Sequence, residues 1–112
     1  MPKPTRPAQP IVSAAKAARN RLVHTLNAMT GEDAKRLRRA TNAILNMIDR
    51  FATGDLTVRA QMPNGVQRNP TTAVERRVMA FWKATELMQD RMFGERSNVS
   101  EANVIAAFDA II

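Results

Sequence analysis

The 112-residue sequence contains no cysteine, no tyrosine, one histidine and only four glycines. The absence of cysteine excludes a disulfide framework, thiolate catalysis and the zinc sites that depend on sulfur ligands. The single histidine, His24, leaves too few ligands for a histidine-based metal centre. Because the glycines are scattered, no glycine-rich loop of the kind that cradles phosphates is present. We therefore expect neither a bound metal nor a cofactor.

Long apolar runs are also absent. No stretch approaches the roughly 20 apolar residues that cross a bilayer, so we expect no membrane partner. The first ten residues include Pro2, Pro4, Pro7 and Pro10, where a secretory signal needs an unbroken apolar segment. These features favour a cytoplasmic protein. A mitochondrial presequence, which a basic segment without acids can resemble, is the alternative for this N-terminus.

Positive charge is concentrated near the start of the chain. The net charge is +7, and residues 1–30 contain five basic residues and no acidic residue. Residues 71–112 contain five basic and six acidic residues, for a net charge of −1. This polarity favours an anionic partner for the first half of the chain. The alternative is a soluble basic protein whose charges simply face water.

Four segments have the three-and-four spacing of apolar residues that is typical of helices. The pattern predicts a first helix from Ile11 to the stop at Gly31, and residues 1–10 as a flexible, proline-rich, basic tail. Capping-box spacing at Thr30–Asp33 and at Thr72–Glu75 predicts the starts of a second and a third helix. Gly54 and Gly94 predict the ends of these helices, near Thr53 and Phe93. The segment Asn98-Val99-Ser100-Glu101 predicts the start of a short last helix, which completes a single helical domain over residues 11–112.

Residues 54–70 break the helical spacing. Leu56, Val58 and Ala60 alternate with polar residues, and Pro63-Asn64-Gly65 follows. An Asn-Gly pair between alternating runs predicts a short β-hairpin or a structured loop. The shared spacing of the second and third helices predicts an antiparallel helical hairpin. The expected fold is therefore mainly all-α: this hairpin, an N-terminal helix, the β-hairpin or loop, and a short C-terminal helix.

No combination of residues indicates an enzyme. Ser13, Ser97 and Ser100 lie at predicted helix starts, where capping explains them. Glu32 and Asp33 lie in a first helical turn, where acidic residues complement the helix dipole. We therefore expect no catalytic residues.

The densest basic cluster is Lys35-Arg36-Leu37-Arg38-Arg39, in the first turns of the second helix. Lys35 and Arg39 share one helix face, and Arg36 and Arg38 flank it. Such side chains neutralise phosphates without reading bases, whereas the alternative pairs Glu32 with Arg36 and leaves the others in water. The residues predicted to bind nucleic acid are Lys3, Arg6, Lys16, Arg19, Arg21, Lys35, Arg36, Arg38 and Arg39.

Four of the five aromatic residues lie in the second half, and two isoleucines stand at the C-terminal end. Such residues either dock on the domain or are buried against a partner. The predicted oligomer or partner interface consists of Phe81, Trp82, Phe108, Ile111 and Ile112.

The segment Asn64-Gly65-Val66-Gln67-Arg68-Asn69-Pro70 precedes a helix that contains Val78-Met79. That helix ends at Met92-Phe93-Gly94, before Arg96-Ser97. This pattern resembles the small terminase subunits of tailed bacteriophages, over about residues 30–97. The resemblance implies a ring-forming, non-catalytic homo-oligomer that recognises duplex viral DNA and delivers it to the large packaging ATPase. It also implies a location in the cytoplasm of the infected cell, or in the virion.

Two other functions fit the sequence. A small structural virion protein could bind a capsid or tail through an extended N-terminal tail and an apolar C-terminus. A phage regulator could instead bind a host protein. Neither alternative is an enzyme.

Overall fold

A computed structural model of the chain describes residues 5–56, 59–66, 69–94 and 99–111. These residues form four helices: α1 (Gln9–Asn27), α2 (Glu32–Ala52), α3 (Ala73–Phe93) and α4 (Glu101–Asp109). None of these helices is both long and apolar enough to cross a bilayer, as judged over the described residues. The mainly α-helical fold predicted from the sequence is confirmed.

Local capping signals place two helix starts and one helix end correctly. The Thr72 hydroxyl accepts a hydrogen bond from the amide of Glu75 at 3.2 Å, at the start of α3. The Ser100 hydroxyl does the same for the amide of Asn103 at 3.0 Å, at the start of α4. Gly94 ends α3 in the left-handed region, with φ of 66°. Each signal acts within one helical turn, which is why the sequence alone reveals it.

Both ends of α1 and the start of α2 differ from the prediction. Helix α1 ends at Asn27, before the predicted stop at Gly31. The predicted cap at Thr30 is wrong, because Gly31 precedes α2 with φ of 98° and no side chain caps the helix. The short link from α1 requires this positive φ, which glycine adopts readily. Helix α1 begins at Gln9, two residues before the predicted start at Ile11, because Pro10 is well suited to a first helical turn. The end of the predicted flexible tail is therefore helical.

Helix α1 lies at the centre of the fold and contacts each of the other three helices. The alanines that it turns inward, Ala15 and Ala18, are fully buried, and so are Leu22 and Leu26. Small side chains allow neighbouring helices to pack closely, since the distance between helix axes depends on the side chains at the contact. The apolar face that the sequence predicts for the first helix therefore packs against the other three helices and forms part of a core that all four share.

The predicted antiparallel hairpin of α2 and α3 is wrong. Their first turns are joined by Arg36 and Glu75, whose charged atoms are 3.0 Å apart. Their last turns are joined by Phe51 and Phe93, whose ring centroids are 6.3 Å apart. The two helices therefore run in the same direction.

Helices α1 and α2 form the antiparallel pair instead. Lys16 near the start of α1 lies 3.9 Å from Asp49 near the end of α2. Arg38 in the second turn of α2 donates to the carbonyl of Leu26, near the end of α1, at 3.4 Å. The short link at residues 28–31 favours this arrangement, because it leaves no length for the chain to return.

The connection over residues 53–72 accounts for the parallel pair. It starts beside the end of α2, where Asp55 pairs with Arg50 at 2.7 Å. It then passes Gln89 of α3, whose side-chain oxygen accepts from the amide of Ala60 at 2.6 Å. It returns to the start of α2, where the carbonyl of Gly65 accepts a hydrogen bond from Arg36. An extended chain of this length can cover the roughly 30 Å of a 21-residue helix.

The segment at residues 54–70 was predicted as a β-hairpin or a structured loop. Its described part contains no strand and forms a loop, so the β-hairpin is wrong. Thr57, Val58, Gln67 and Arg68 lie outside the described residues. Leu56, Ala60 and Met62 pack against the helical core. The alternating apolar residues thus cover a helix pair, and the amide of Ala60 bonds to a helix side chain instead of a neighbouring strand.

Four of the five residues predicted to face a partner lie in the core of the chain itself. Phe81 and Phe108 are 0% exposed, and their rings meet edge to face with centroids 5.8 Å apart. Trp82 and Ile111 are 5% and 3% exposed. Ile112 lies outside the described residues. Since these side chains fill the space between helices, α4 is part of the domain and completes its core.

Replacement of Phe108 by alanine tests this placement. We expect Phe108→Ala to lower the free energy of unfolding by about 3–5 kcal/mol, because it removes a fully buried ring and leaves a cavity. Phe93→Ala, at a half-buried ring, should cost less. The measurement is urea unfolding followed by circular dichroism. A Phe108→Ala protein of wild-type stability with altered oligomeric state would contradict the core role.

Candidate nucleic-acid interface

Arg21 is one of the nine basic residues predicted to bind nucleic acid, but the structure uses it inside the fold. Its Nε donates to the carbonyl of Ile111 at 2.6 Å, and its Nη2 donates to the carbonyl of Phe108 at 3.0 Å. Phe108 lies in the last turn of α4 and Ile111 lies just beyond the helix. By donating to both carbonyls, Arg21 holds the end of α4 against α1.

Arg36 also serves the fold. One Nη donates to the carbonyl of Gly65, and the other lies 3.0 Å from a carboxylate oxygen of Glu75 and 3.6 Å from one of Asp33. The Arg36 side chain is 27% exposed and that of Glu75 is 11% exposed. The fork of this guanidinium is therefore occupied. It ties together α2, the connection and α3.

Two further predicted residues lie away from the basic cluster. Lys16 pairs with Asp49 on the neighbouring helix. The guanidinium of Arg6 lies against Gly54, so close that a Cβ on Gly54 would be 2.5 Å from it. Gly54 follows the end of α2, whereas the basic cluster lies at its start. Lys3 is outside the described residues.

The four remaining cations lie on one surface formed by α1 and α2. Lys35, Arg38 and Arg39 line a shallow cleft together with Asn42. Arg19 of α1 reaches the same place, since its Nε and Nη2 donate to Oδ1 of Asn42 at 3.2 and 2.9 Å. We call the surface made by Arg19, Lys35, Arg38, Arg39 and Asn42 the α1–α2 surface.

Little acidic charge offsets this surface. Glu32 lies 3.6 Å from Lys35, with both side chains mostly exposed. Exposed pairs of this kind are worth little and break readily. Arg39 is exposed and forms no ion pair or hydrogen bond with any residue of the described ranges. Arg38 donates only one long hydrogen bond, to Leu26. The positive charge of the surface is therefore available to an external anion.

The surface continues toward the connection between α2 and α3. Arg39 also lines a neighbouring cleft of about 440 Å³, which lies between α2 and the turn at residues 63–65. Ala40 and Ala43 form the floor on the α2 side, and Asn64 is exposed on the other side. Arg39 thus stands between two clefts. An extended anionic chain could follow both.

The four cations were predicted from the sequence, but their grouping was not. Lys35, Arg39 and Asn42 share a helix face at spacings of four and three, which the sequence shows. The position of Arg19 on that face depends on the register between α1 and α2. That register is a long-range property, and no local signal reveals it.

The chemistry of this surface is that of anion binding. The described part of the chain contains no group of three or more histidine, cysteine, aspartate or glutamate side chains that could hold a metal ion. No protein-family model, curated protein or solved structure matches the sequence. The surface presents guanidinium and ammonium groups, which are well suited to donate hydrogen bonds to phosphate oxygens.

Because Arg36 holds the fold together and Arg39 faces solvent, substitutions at these two positions should differ in their effect on stability. Arg36→Ala should lower the free energy of unfolding by about 2–3 kcal/mol, because it leaves the largely buried Glu75 carboxylate without its main partner. Arg39→Ala, its matched control, should stay within about 0.5 kcal/mol of the wild type. Urea unfolding of both variants checks this. Equal stabilities would show that Arg36 does not hold the fold.

Proposed function

We propose that this protein is a non-catalytic subunit that holds duplex DNA by its phosphates through the α1–α2 surface. The observation that supports this most strongly is the grouping of Arg19, Lys35, Arg38 and Arg39 on two packed helices. Within the part of the chain that the structure describes, only one carboxylate, that of Glu32, is paired with them. Because the packed helices α1 and α2 hold these cations at fixed positions, the cations suit the regularly spaced phosphates of a DNA backbone.

The size of the surface matches a short stretch of nucleic-acid backbone. Lys35 and Asn42 are seven residues apart on α2, about 10 Å along the helix axis. One strand of a duplex carries a phosphate about every 3.4 Å of its axis. Because the strand also winds around that axis, neighbouring phosphates are farther apart than this axial step, and a surface about 10 Å long can meet about two of them.

The side chains present favour the duplex over a single strand. Proteins that bind single strands usually stack bases on exposed aromatic rings. No aromatic side chain lines the two clefts of the α1–α2 surface, and Phe81, Trp82 and Phe108 are buried in the core. Contacts made only to phosphates carry no direct sequence information. Binding should therefore tolerate many sequences and depend strongly on salt.

The four cations on one subunit give only weak binding. An oligomer presents several copies of this surface and therefore binds DNA more tightly. Linked copies bind DNA far more tightly than one copy, because each contact raises the effective concentration for the next. We therefore propose that the protein works as a homo-oligomer. The resemblance of residues 30–97 to small terminase subunits supports a role in viral genome packaging, with the packaging ATPase as partner.

Removal of surface charge tests the DNA-binding proposal. Lys35→Ala/Arg39→Ala should weaken binding to a short duplex, and should reduce the slope of log K against log salt by about 1.8, or about 0.9 per lost phosphate contact. The matched control is Arg76→Ala/Lys83→Ala, which removes two exposed cations from α3. Fluorescence anisotropy at several salt concentrations measures both. Equal losses in the two double variants would contradict a specific surface.

Light scattering tests the packaging proposal separately. The wild-type protein should be an oligomer, and its addition to a long duplex should give complexes with several subunits. A protein that stays monomeric with and without DNA would exclude the ring-forming role. Such a monomer could still bind DNA through the α1–α2 surface, so the two proposals can fail independently.

A further inference from the structure

Two asparagines hold the side chain of Arg19. Oδ1 of Asn42 accepts from Nε and Nη2 of Arg19 at 3.2 and 2.9 Å. Oδ1 of Asn20 accepts from Nη1 at 3.1 Å. Three of the five guanidinium N–H groups are therefore used to connect one residue of α1 with a neighbour on the same helix and with α2.

This arrangement fixes the orientation of both amides. A guanidinium can only donate hydrogen bonds, so the atom that faces it from each asparagine must be the oxygen. The amide nitrogens of Asn20 and Asn42 must then point away from Arg19. Both residues are exposed, and neither nitrogen donates to another residue of the described ranges. Each asparagine thus presents an NH₂ group to solvent.

We propose that Asn20 and Asn42 are phosphate-binding residues, which donate from Nδ2 to the phosphodiester oxygens of DNA. Arg19 is the positioning residue that turns their donors outward. This inference rests on the proposed DNA-binding function and deepens it. It adds two neutral donors to the cations of the α1–α2 surface.

The orientation of the amides selects the kind of acceptor. An asparagine that reads adenine uses its oxygen and its nitrogen together, because the base edge offers a donor and an acceptor. Oδ1 of Asn42 accepts two hydrogen bonds from Arg19 and Oδ1 of Asn20 accepts one, so both oxygens are turned toward Arg19. Phosphate oxygens only accept, so they match a surface that only donates. The two asparagines therefore support binding of the DNA backbone without base recognition.

Replacement of both amides by carboxylates tests the proposal. In Asn20→Asp/Asn42→Asp the carboxylates should hold Arg19 at least as well as the amides do, because an ion pair replaces a neutral hydrogen bond. The donors are lost, however, and the two carboxylates offset the charge of Arg19. We expect duplex affinity to fall at least about tenfold at a fixed salt concentration, because the loss of the donors and the new negative charges act together.

The matched control is Asn27→Asp/Asn46→Asp. It makes the same change in charge at exposed positions on the same two helices, but neither residue contacts Arg19. We expect a loss of less than about threefold, from long-range repulsion alone. Equal losses in the two double variants would overturn the inference, even where Lys35→Ala/Arg39→Ala weakens binding. A wild-type protein without DNA affinity at low salt would overturn both this inference and the proposed function.

A second measurement needs no substitution. In the ¹⁵N-labelled wild-type protein, the side-chain NH₂ signals of Asn20 and Asn42 should shift as a short duplex is added. Those of Asn27 and Asn46 should stay in place. Shifts of all four, or of neither pair while the duplex binds, would contradict direct donation from Asn20 and Asn42.

Discussion

The close packing around α1 is the constraint on which the rest of the structure depends. Ala15 and Ala18 contribute almost no volume, so neighbouring helices can approach the α1 backbone. Each of the other helices contacts α1. This central position explains why Arg21 in α1 can reach the end of α4 and why Arg19 can reach Asn42 of α2. The surface proposed to bind DNA therefore depends on the packing of α1 against α2.

The basic residues of the first half divide into two functions that composition alone cannot separate. Arg21 and Arg36 donate hydrogen bonds to carbonyls and carboxylates of the chain itself. Arg39 is three residues from Arg36 and faces solvent. A cluster of basic residues in a sequence therefore overstates the charge that a partner can use. In this protein, the usable charge is the part that the helix packing leaves exposed.

The sequence predicted local structure well because the responsible interactions are local. The caps at Thr72 and Ser100 and the stop at Gly94 each act within one turn. The direction of α3 relative to α2 was predicted wrongly, since it depends on how residues 53–72 return along the helix pair. The same limit applies to the site. Lys35 and Arg39 were predicted as neighbours, but the contribution of Arg19, Asn20 and Asn42 required the register between helices.

Burial of the aromatic residues also changes what a partner could contact. Phe81, Trp82 and Phe108 close the core between α3 and α4, so they belong to folding and not to assembly. These three rings are therefore not available to a second copy of the folded chain.

The proposed contact between the α1–α2 surface and the DNA backbone can be mapped by NMR. Backbone amide signals of the ¹⁵N-labelled protein are followed as a short duplex is added. Shifts should concentrate around Arg19 and Asn20 on α1 and from Lys35 to Asn42 on α2, and they should disappear at high salt. Shifts concentrated on α3 and α4, or no shifts at low salt, would contradict it.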